Sequence, residues 1–317
     1  MRLIFWGTPA FALPALRAVA DAGHQIAAVV TRPDRPAGRG RKPKPSPVRT
    51  LAEECGYRVL APNSTRDPDF VEEVRGLGAD ASVVVAYGQF LSNVLIEAPE
   101  RGSLNVHPSL LPALRGAAPI NWAIARGFDT TGVTIMRMVQ AMDAGPILAQ
   151  TMVPIGATET AAVLSRRLSE LGAELLADTL ARMERGALRE VEQDHEAATF
   201  APKVDRGSAR IDWSRSARRV SCLIRAMDEA PGAWSVLNGT PLKLYAPEVV
   251  PETRLGDLRG VGTSPGEVLG ADPKGGLVVA AGDGALRIGE VQQPGRRRIA
   301  AEAWLCGRGA RVGDVLS

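Results

Sequence analysis

Residues 1–33 read MRLIFWGTPAFALPALRAVADAGHQIAAVVTRP, with apolar runs at Leu3–Trp6 and Ile26–Thr31 on either side of a helix-like stretch, Ala10–Ala22. Continuous apolar runs separated by a helix are typical of parallel strands that are buried on both faces of a sheet. The segment therefore predicts a strand, a helix and a second parallel strand, the repeating unit of Rossmann-like α/β folds.

The alternation of apolar runs and helical stretches continues along the chain. Further strands are predicted at Tyr57–Leu60, Ser82–Tyr87, Leu104–His107 and Val133–Val139, and a long helix at Thr160–Glu184. After a polar stretch, short strands broken by glycines are predicted at Trp234–Leu237, Leu242–Tyr245, Gly266–Leu269, Leu277–Ala281 and Ala285–Glu290. Closely spaced strands of this kind predict a small antiparallel barrel or sandwich. We therefore expect an α/β fold with a Rossmann-like parallel or mixed sheet in an N-terminal domain, 1–188, a linker at 189–205, and a small C-terminal β-barrel (OB-like) domain, 206–317.

The composition is that of an ordinary folded chain. Of 317 residues, 45% are hydrophobic and 23% are charged, which excludes a disordered polymer. No apolar run approaches the roughly 18–20 residues of a membrane helix, and the first residues do not resemble a signal peptide. The three cysteines and three histidines form no zinc-binding or disulfide pattern. We therefore expect a cytoplasmic protein with no membrane segment and no metal, its three cysteines buried.

Positive charge is concentrated in one loop and in the second domain. The segment Arg32–Arg49 contains seven Lys and Arg against one Asp, whereas residues 1–205 as a whole carry 22 basic and 23 acidic residues. Residues 206–317 carry 16 basic and 12 acidic residues. A localised positive field of this kind indicates a polyanion that approaches from one side, although a charge run is also compatible with a solvated surface.

The turn after the first strand lacks the usual nucleotide-binding motifs. It contains the single glycine Gly7, where a dinucleotide site needs Gly-x-Gly-x-x-Gly, and the chain has no P-loop sequence. NAD and ATP are therefore disfavoured as ligands, and the function must come from another part of the sheet.

The segment SLNVHPSLLPALRGAAPI, residues 103–120, contains the best candidates for chemistry. Asn105 and His107 point to the same face of a strand because side chains alternate, so both lie at the end of the sheet. Asp143 follows in an apolar turn, and His107 is the available partner for its carboxylate. Taken singly, each residue also has an ordinary explanation: Asn105 as a turn cap, His107 as a core histidine and Asp143 as a turn residue.

Five N-terminal segments are similar to methionyl-tRNA formyltransferases in order and spacing: GTPAFALPALRAV, VVTRPDRPAGRGRKPKPSPV, VVVAYGQFL, LNVHPSLLPALRGAAPINWAI and TGVTIMRMVQAMDAGPIL. IDWSRSARRVSCLIRAM, KLYAPEV and LCGRGARVGDVL resemble the C-terminal domain of that family. The resemblance thus covers nearly the whole chain. The set Asn-x-His with a distant Asp marks the wider folate-dependent formyltransferase superfamily, whereas the basic loop and the basic second domain resemble the tRNA enzymes.

The resemblance implies an enzyme that transfers the formyl group of 10-formyltetrahydrofolate to the α-amine of initiator methionyl-tRNA. It implies that the N-terminal domain is catalytic and that the C-terminal domain binds tRNA. Asn105, His107 and Asp143 match the catalytic trio of the family. Ser109, Leu110, Leu111 and Pro112 match its folate-binding stretch, and Arg39, Arg41 and Lys42 are the expected contacts to tRNA. No metal is implied.

The catalytic roles also follow from general chemistry. An amine that attacks a formyl carbonyl creates an oxyanion, which N–H donors from Asn105 and a protonated His107 stabilise. Asp143 is expected to hold the imidazole and to favour its charged form. Because the substrate supplies the nucleophile, direct transfer without an acyl-enzyme is expected.

Two alternatives stay open on the sequence alone. A formyltransferase for a small amine, such as an amino-sugar nucleotide or glycinamide ribonucleotide, would share the trio but would not need the basic loop. An RNA-binding module without catalysis would keep the loop and lose the trio. The presence of both features favours the tRNA enzyme.

Overall fold

The computed structural model describes residues 1–37, 42–251, 253, 263–307 and 309–317. By contacts, the chain divides into two compact units. The first unit consists of residues 1–116, 131–153 and 165–200, and the second of residues 117–130, 154–164 and 201–317.

The described part of the first unit contains nine strands, which are numbered in chain order. Seven of them form one mixed main sheet, and the other two pair with each other. The strands of this unit are β1 (Arg2–Gly7), β2 (Gln25–Val30), β3 (Arg35–Ala37), β4 (Lys42–Lys44), β5 (Val59–Leu60), β6 (Ala81–Val85), β7 (Ser103–His107), β8 (Thr130–Arg137) and β9 (Ile147–Pro154). A short 3-10 helix spans Ala10–Ala12, and the helices are α1 (Leu13–Asp21), α2 (Pro47–Glu54), α3 (Pro68–Gly76), α4 (Asn93–Ile96) and α6 (Ala161–Glu184).

The main sheet has the strand order β5-β2-β1-β6-β7-β8-β9. The strands from β5 to β7 are parallel, and β8 is antiparallel to β7. The strands β2 and β5, which follow β1 in the chain, lie on one side of β1 in the sheet. The strands from β6 onwards lie on its other side, so the strand order reverses between β1 and β6. Ligands bind in such sheets beyond the carboxyl ends of the strands at this reversal. The last residues of β1, β6 and β7 therefore border the expected site.

Burial explains why these segments form the centre of the sheet. Residues 3–6 of β1 are at most 1% exposed, and all five residues of β6 are buried. Strands covered on both faces require this continuous apolar pattern. On one face, α6 approaches the sheet closely at Gly172, where a Cβ atom would lie 2.9 Å from Val106 Cγ1. The glycine allows the helix to pack against β7.

The second unit contains α5 (Pro119–Ala125), α7 (Ala217–Ala226), α8 (Ala301–Cys306) and an antiparallel sheet. Its strands are β10 (Trp234–Leu237), β11 (Thr240–Val249), β12 (Val268–Asp272), β13 (Gly276–Ala280), β14 (Ala285–Gln292) and β15 (Ile299–Ala300). The order is β10-β11-β14-β13-β12, with β15 paired to β14.

The C-terminal residues curl this second sheet towards closure. Leu316 pairs with Leu237 at the end of β10, and Val315 pairs with Glu267 just before β12. One segment thus contacts both edges of the sheet, as a barrel requires. The predicted fold class is confirmed: a Rossmann-like parallel and mixed sheet, and a small C-terminal antiparallel half-barrel.

The segment predicted as a linker contacts the first unit over most of its length. Val191 and Ile147 exchange backbone hydrogen bonds of 2.8 and 2.9 Å, and Arg115 N–H donates to Thr199 O at 2.8 Å. Residues up to Phe200 therefore belong to the first unit by contacts. The boundaries 1–188, 189–205 and 206–317 stay a prediction of functional division.

Two further expectations concern the chain as a whole. Only one of the three cysteines is buried, Cys222, whereas Cys55 and Cys306 are exposed. The expectation that all three are buried was wrong, because Cys55 and Cys306 lie at the C-terminal ends of helices that open to solvent. Among the described residues, the structure has no helix that is long and apolar enough to cross a membrane.

Candidate active site

The candidate site begins at the end of β7, where Asn105 and His107 share one face of the strand. Asn105 is partly exposed, and its side-chain amide makes no hydrogen bond to any described residue. His107 is 4% exposed and lies opposite Thr134 of β8. The strand therefore presents a free amide and a buried imidazole at the carboxyl end of the sheet.

Both ring nitrogens of His107 have a neighbour. Nε2 lies 3.1 Å from the carbonyl oxygen of Leu114, and Nδ1 lies 3.7 Å from Asp143 Oδ2. A carbonyl oxygen only accepts, so the short contact requires Nε2 to carry a proton. The 3.7 Å separation is too long for a direct hydrogen bond, but the carboxylate still faces the ring as its charged neighbour.

The pKa of His107 lies below its usual value of 6.5 because burial penalises the charged ring. The Asp143 charge and the Leu114 carbonyl act in the opposite direction, and burial outweighs them. We expected the Asp143 charge to favour a protonated ring. The structure instead favours neutral His107 with Nδ1 free to accept a proton beside Asp143.

Asp143 lies in a tight turn between β8 and β9. Its φ of 51° is in the left-handed region, which costs a residue with a side chain free energy unless the surroundings compensate. Its Oδ2 accepts a 2.8 Å hydrogen bond from the N–H of Gly116. In the same turn, a Cβ atom on Gly145 would lie 2.0 Å from Arg137 O, so only glycine fits there.

A buried side-chain network behind this turn was not expected from the sequence. Gln193 is 5% exposed, and its amide nitrogen donates to Asp143 O at 2.9 Å and to Gly145 O at 2.7 Å. Its Oε1 accepts two hydrogen bonds from Arg115, of 3.1 and 2.7 Å. No local pattern reveals this network, because its hydrogen bonds join residues that are 48–78 positions apart in the chain.

The stretch Ser109–Pro112, predicted to bind folate, forms the loop after β7. Ser109 Oγ donates to Ala113 O at 2.6 Å, and Leu111 N–H donates to Thr134 Oγ1 at 3.1 Å. Gln150 Nε2 also supports the loop through Leu111 O at 2.8 Å. Ser109 and Leu111 are buried, so their side chains stabilise the loop, whereas Leu110 and Pro112 are partly exposed.

Exposed apolar side chains lie on two segments near the turn. Phe90 is 54% exposed and Met142, the neighbour of Asp143, is 69% exposed. Their segments are joined by a 3.3 Å hydrogen bond from Asn93 to Gln140. Apolar surface beside polar groups is typical of a site for a flat organic ligand.

A separate cavity of about 600 Å³ lies at the carboxyl ends of β1 and β2. Its basic lining residues are Arg17, Arg32 and Lys44. None of Asn105, His107 and Asp143 lines this cavity. The cavity is therefore a basic concavity at the start of the basic loop, separate from the catalytic candidates.

Two of the predicted tRNA contacts, Arg39 and Arg41, lie outside the described residues. The backbone of Lys42 lies at the start of β4, which pairs with β3, but its side chain lies outside the described part. Within the described residues, no group of His, Cys, Asp or Glu has an arrangement that would hold a metal ion.

Comparison with known proteins decides the family. The formyl transferase family matches residues 1–180, and its C-terminal domain matches residues 203–309. Over 316 residues, the chain is 43% identical to the methionyl-tRNA formyltransferase of Citrifermentans bemidjiense, covering 100% of this chain and 96% of that protein. The chain belongs to the methionyl-tRNA formyltransferase family. Membership in this family confirms the resemblance and the class of enzyme expected from the sequence.

Several solved structures share the fold of this chain, although their sequence identity to it is low. The HypX protein of Aquifex aeolicus, solved with tetrahydrofolic acid, gives a TM-score of 0.66 at 20% identity over 96% of this chain, which spans about half (47%) of HypX. An N-formyltransferase of Helicobacter canadensis, solved with folinic acid and dTDP-3-aminofucose, gives 0.65 at 18% identity over 90% of this chain and 97% of that protein. At these identities the likeness concerns the fold alone.

Proposed function

We propose that the chain transfers the formyl group of 10-formyltetrahydrofolate to the α-amino group of initiator methionyl-tRNA, giving N-formylmethionyl-tRNA for translation initiation. The observation that carries the proposal is the buried His107 ring facing Asp143 at the carboxyl end of β7, beside the free amide of Asn105. The names of relatives such as that of Citrifermentans bemidjiense support the substrate.

The reaction needs no nucleophile from the protein. The α-amine of the aminoacyl group has a pKa of about 7.7–8, so a neutral fraction is present at pH 7. In the proposed reaction, its nitrogen bonds to the formyl carbon directly, and a tetrahedral intermediate forms before the bond from that carbon to the folate nitrogen breaks. The amine loses one proton, and the folate nitrogen gains one.

Each member of the trio has one role in this proposal. Asn105 donates its side-chain N–H to the oxygen on which negative charge develops. His107, neutral at rest, takes the proton from the amine and passes it to the leaving nitrogen. Asp143 stabilises the imidazolium that exists between these two transfers, because its carboxylate faces Nδ1.

The residues near the trio fit a folate. The Asn105 amide is free to bind a carbonyl group, and the exposed side chains of Phe90 and Met142 supply apolar surface for a flat ring system. We propose that Ser109, Leu110, Leu111 and Pro112 form the wall of this site, as the resemblance implies. The folate supplies the activated formyl group, and the proposal includes no metal.

The basic parts of the chain suit the tRNA. We propose that Arg39, Arg41 and Lys42 contact phosphates of the acceptor end, and that residues 206–317 bind the tRNA elsewhere. Phosphate contacts give affinity that depends on salt, whereas selection of the initiator needs base or shape readout. These substrates place the proposed activity in the cytoplasm.

A competition assay tests this proposal. The protein is incubated with 10-formyltetrahydrofolate and equal concentrations of methionyl-tRNA, glycinamide ribonucleotide and an amino-sugar nucleotide, and each N-formyl product is measured. We expect formylated methionyl-tRNA to dominate, with uncharged tRNA as the control that gives no product. If a small amine is formylated faster than methionyl-tRNA, the proposed substrate is wrong.

A further inference from the structure

Gln193 uses all of its hydrogen-bonding groups inside one buried network. Its two N–H donors bind the carbonyl oxygens of Asp143 and Gly145, and its oxygen accepts from Nε and Nη2 of Arg115. A side-chain amide has two donors and one oxygen acceptor, so none of these groups is left over. We call Gln193, Arg115 and the two carbonyls the Gln193 clamp.

The clamp holds a turn that is costly by itself. Asp143 has a left-handed backbone, with φ of 51°, and the carbonyl groups on either side of this turn would be buried without partners if Gln193 were removed. An unpaired buried carbonyl and a left-handed residue each cost free energy. The two bonds from one amide nitrogen therefore fix the backbone that carries the Asp143 carboxylate.

Arg115 attaches the clamp to the loop that contacts the catalytic pair. Leu114 contacts His107 through its carbonyl, and Gly116 donates its N–H to Asp143. Arg115, between them, is 6% exposed, and the structure records no carboxylate against its guanidinium among the described residues. Burial of a cation without an acid is costly unless neutral acceptors surround it. Gln193 Oε1 is such an acceptor, and it accepts two hydrogen bonds from the guanidinium.

A histidine completes the surroundings of the guanidinium. Arg115 Nη2 lies 3.0 Å from His195 Nδ1. Arginine is always protonated and only donates, so Nδ1 of His195 accepts and its proton resides on Nε2. The segment 193–195 therefore provides two neutral acceptors to the same buried cation.

We propose that Gln193 is a positioning residue that holds the Asp143 carboxylate opposite the His107 ring. The proposal deepens the proposed function, because it assumes that this pair acts in formyl transfer. Gln193 is 5% exposed, and its polar groups are all engaged within the clamp. It acts through the backbone of the Asp143 turn and through Arg115.

The substitution Gln193→Glu separates the two halves of the clamp. Glutamate keeps an oxygen against Arg115, and its charge pairs with the cation, but it has no N–H for the carbonyls of Asp143 and Gly145. We expect a folded protein whose kcat for formyl transfer falls about 10–100-fold, because a small displacement of catalytic groups has this effect. KM for both substrates should change less than about threefold. The exposed neighbour variant Glu192→Gln is the matched control and should equal the wild type.

A spectroscopic measurement tests the same claim without catalysis. The chain has three histidines, so the ring resonances of His107 can be assigned by substitution of His24 and His195 in ¹⁵N-labelled protein. Asp143 is the charged group that faces His107, and Arg115 is the one cation in the loop 108–118 that follows β7. In the wild-type background, Asp143→Asn should lower the pKa of His107. In the Gln193→Glu background, the same substitution should shift this pKa clearly less, since the carboxylate is already displaced.

The outcomes separate the positioning role from the proposed function. If Gln193→Glu does not fold, the double variant Arg115→Met, Gln193→Met, which leaves no buried charge, carries the same two measurements. An unchanged kcat and an undiminished effect of Asp143→Asn on His107 in a folded clamp variant would overturn the positioning role. If the wild type forms no N-formylmethionyl-tRNA, the proposed function fails, while the pKa measurement still decides whether Gln193 positions Asp143.

Discussion

Leu114 accepts a hydrogen bond from the catalytic candidate His107, with 3.1 Å between the carbonyl oxygen and Nε2. Two residues further along, Gly116 donates to Asp143 Oδ2 at 2.8 Å. One short loop therefore contacts both members of the pair. Because the ring and the carboxylate share this support, we expect substitutions in the trio to act as a unit.

Replacement of Asn105, His107 or Asp143 by alanine should lower kcat much more than it raises KM. The proposed interactions form mainly in the transition state, and removal of one oxyanion donor typically costs about 10²–10³ in rate. Steady-state kinetics with saturating folate and varied methionyl-tRNA measures both constants.

The combined variant of all three residues provides the control for this prediction. Groups that act together lose most of their effect with the first substitution. The triple variant should therefore be only slightly slower than the slowest single variant. Strictly multiplicative losses would indicate three independent contributions and contradict the shared role.

Stability should fall as the pH is lowered below about 6.5. Burial lowers the pKa of His107 from its usual 6.5 in the folded state, so the unfolded chain binds more protons in this range. The free energy of unfolding consequently rises with pH through this window, and it decreases when the pH is lowered. Urea unfolding between pH 5 and pH 8 should give a shallower dependence for His107→Gln than for the wild type.

His24 is the internal control for the pH experiment. Its pKa is also lowered, first by burial and then by the N-terminal charge, so it contributes with the same sign. The variant His24→Gln should remove a separate part of the slope and leave catalysis unchanged. An identical slope in wild type and His107→Gln would show that His107 titrates normally in the folded protein.

Much of the fold could be predicted because it depends on local patterns. The predicted strand Trp234–Leu237 has the observed bounds, and the predicted helix Thr160–Glu184 begins one residue later, at Ala161. The strand Ile147–Pro154 was not predicted. It lies at the edge of the main sheet with alternating partial exposure, so it lacks the continuous apolar run that marks the central strands.

The candidate site was predictable only in part, for a different reason. Asn105 and His107 share a strand, so their proximity follows from the side-chain period of two. The positions of Gln193 and Leu114 depend on hydrogen bonds across the fold, and Leu114 contacts His107 through its backbone, which no side-chain pattern reveals. The direction of the His107 pKa depends on burial against charge and also needed the structure.

Gly145→Ala should disturb the Asp143 turn. The added Cβ would lie 2.0 Å from the backbone oxygen of Arg137, so the turn must move. We expect kcat to fall about 10–100-fold through the displaced carboxylate, with a smaller change in KM. Gly76→Ala is a matched control, because nothing lies within 4 Å of its added Cβ. Equal kcat values for the two variants would contradict the role of the turn.

Replacement of Arg39, Arg41 and Lys42 by alanine should raise KM for methionyl-tRNA and flatten its dependence on salt. Each lost phosphate contact removes about 0.7–0.9 from the logarithmic slope of binding against salt concentration. Folate KM should hardly change. The exposed Arg66→Ala on another surface is the control. A triple variant with wild-type tRNA kinetics at low and high salt would favour a small-amine formyltransferase.

The most direct test of the central claim is a single-turnover transfer from 10-formyltetrahydrofolate with a labelled formyl group to methionyl-tRNA. Enzyme is in excess over the aminoacylated tRNA, and the amino acid is released by mild base and identified. We predict that the label appears on the α-nitrogen of methionine in the wild type, and that it appears at least about 10²-fold more slowly in the variant with alanine at Asn105, His107 and Asp143. Absence of labelled N-formylmethionine with the wild-type protein, or equal rates for the two proteins, would contradict the account.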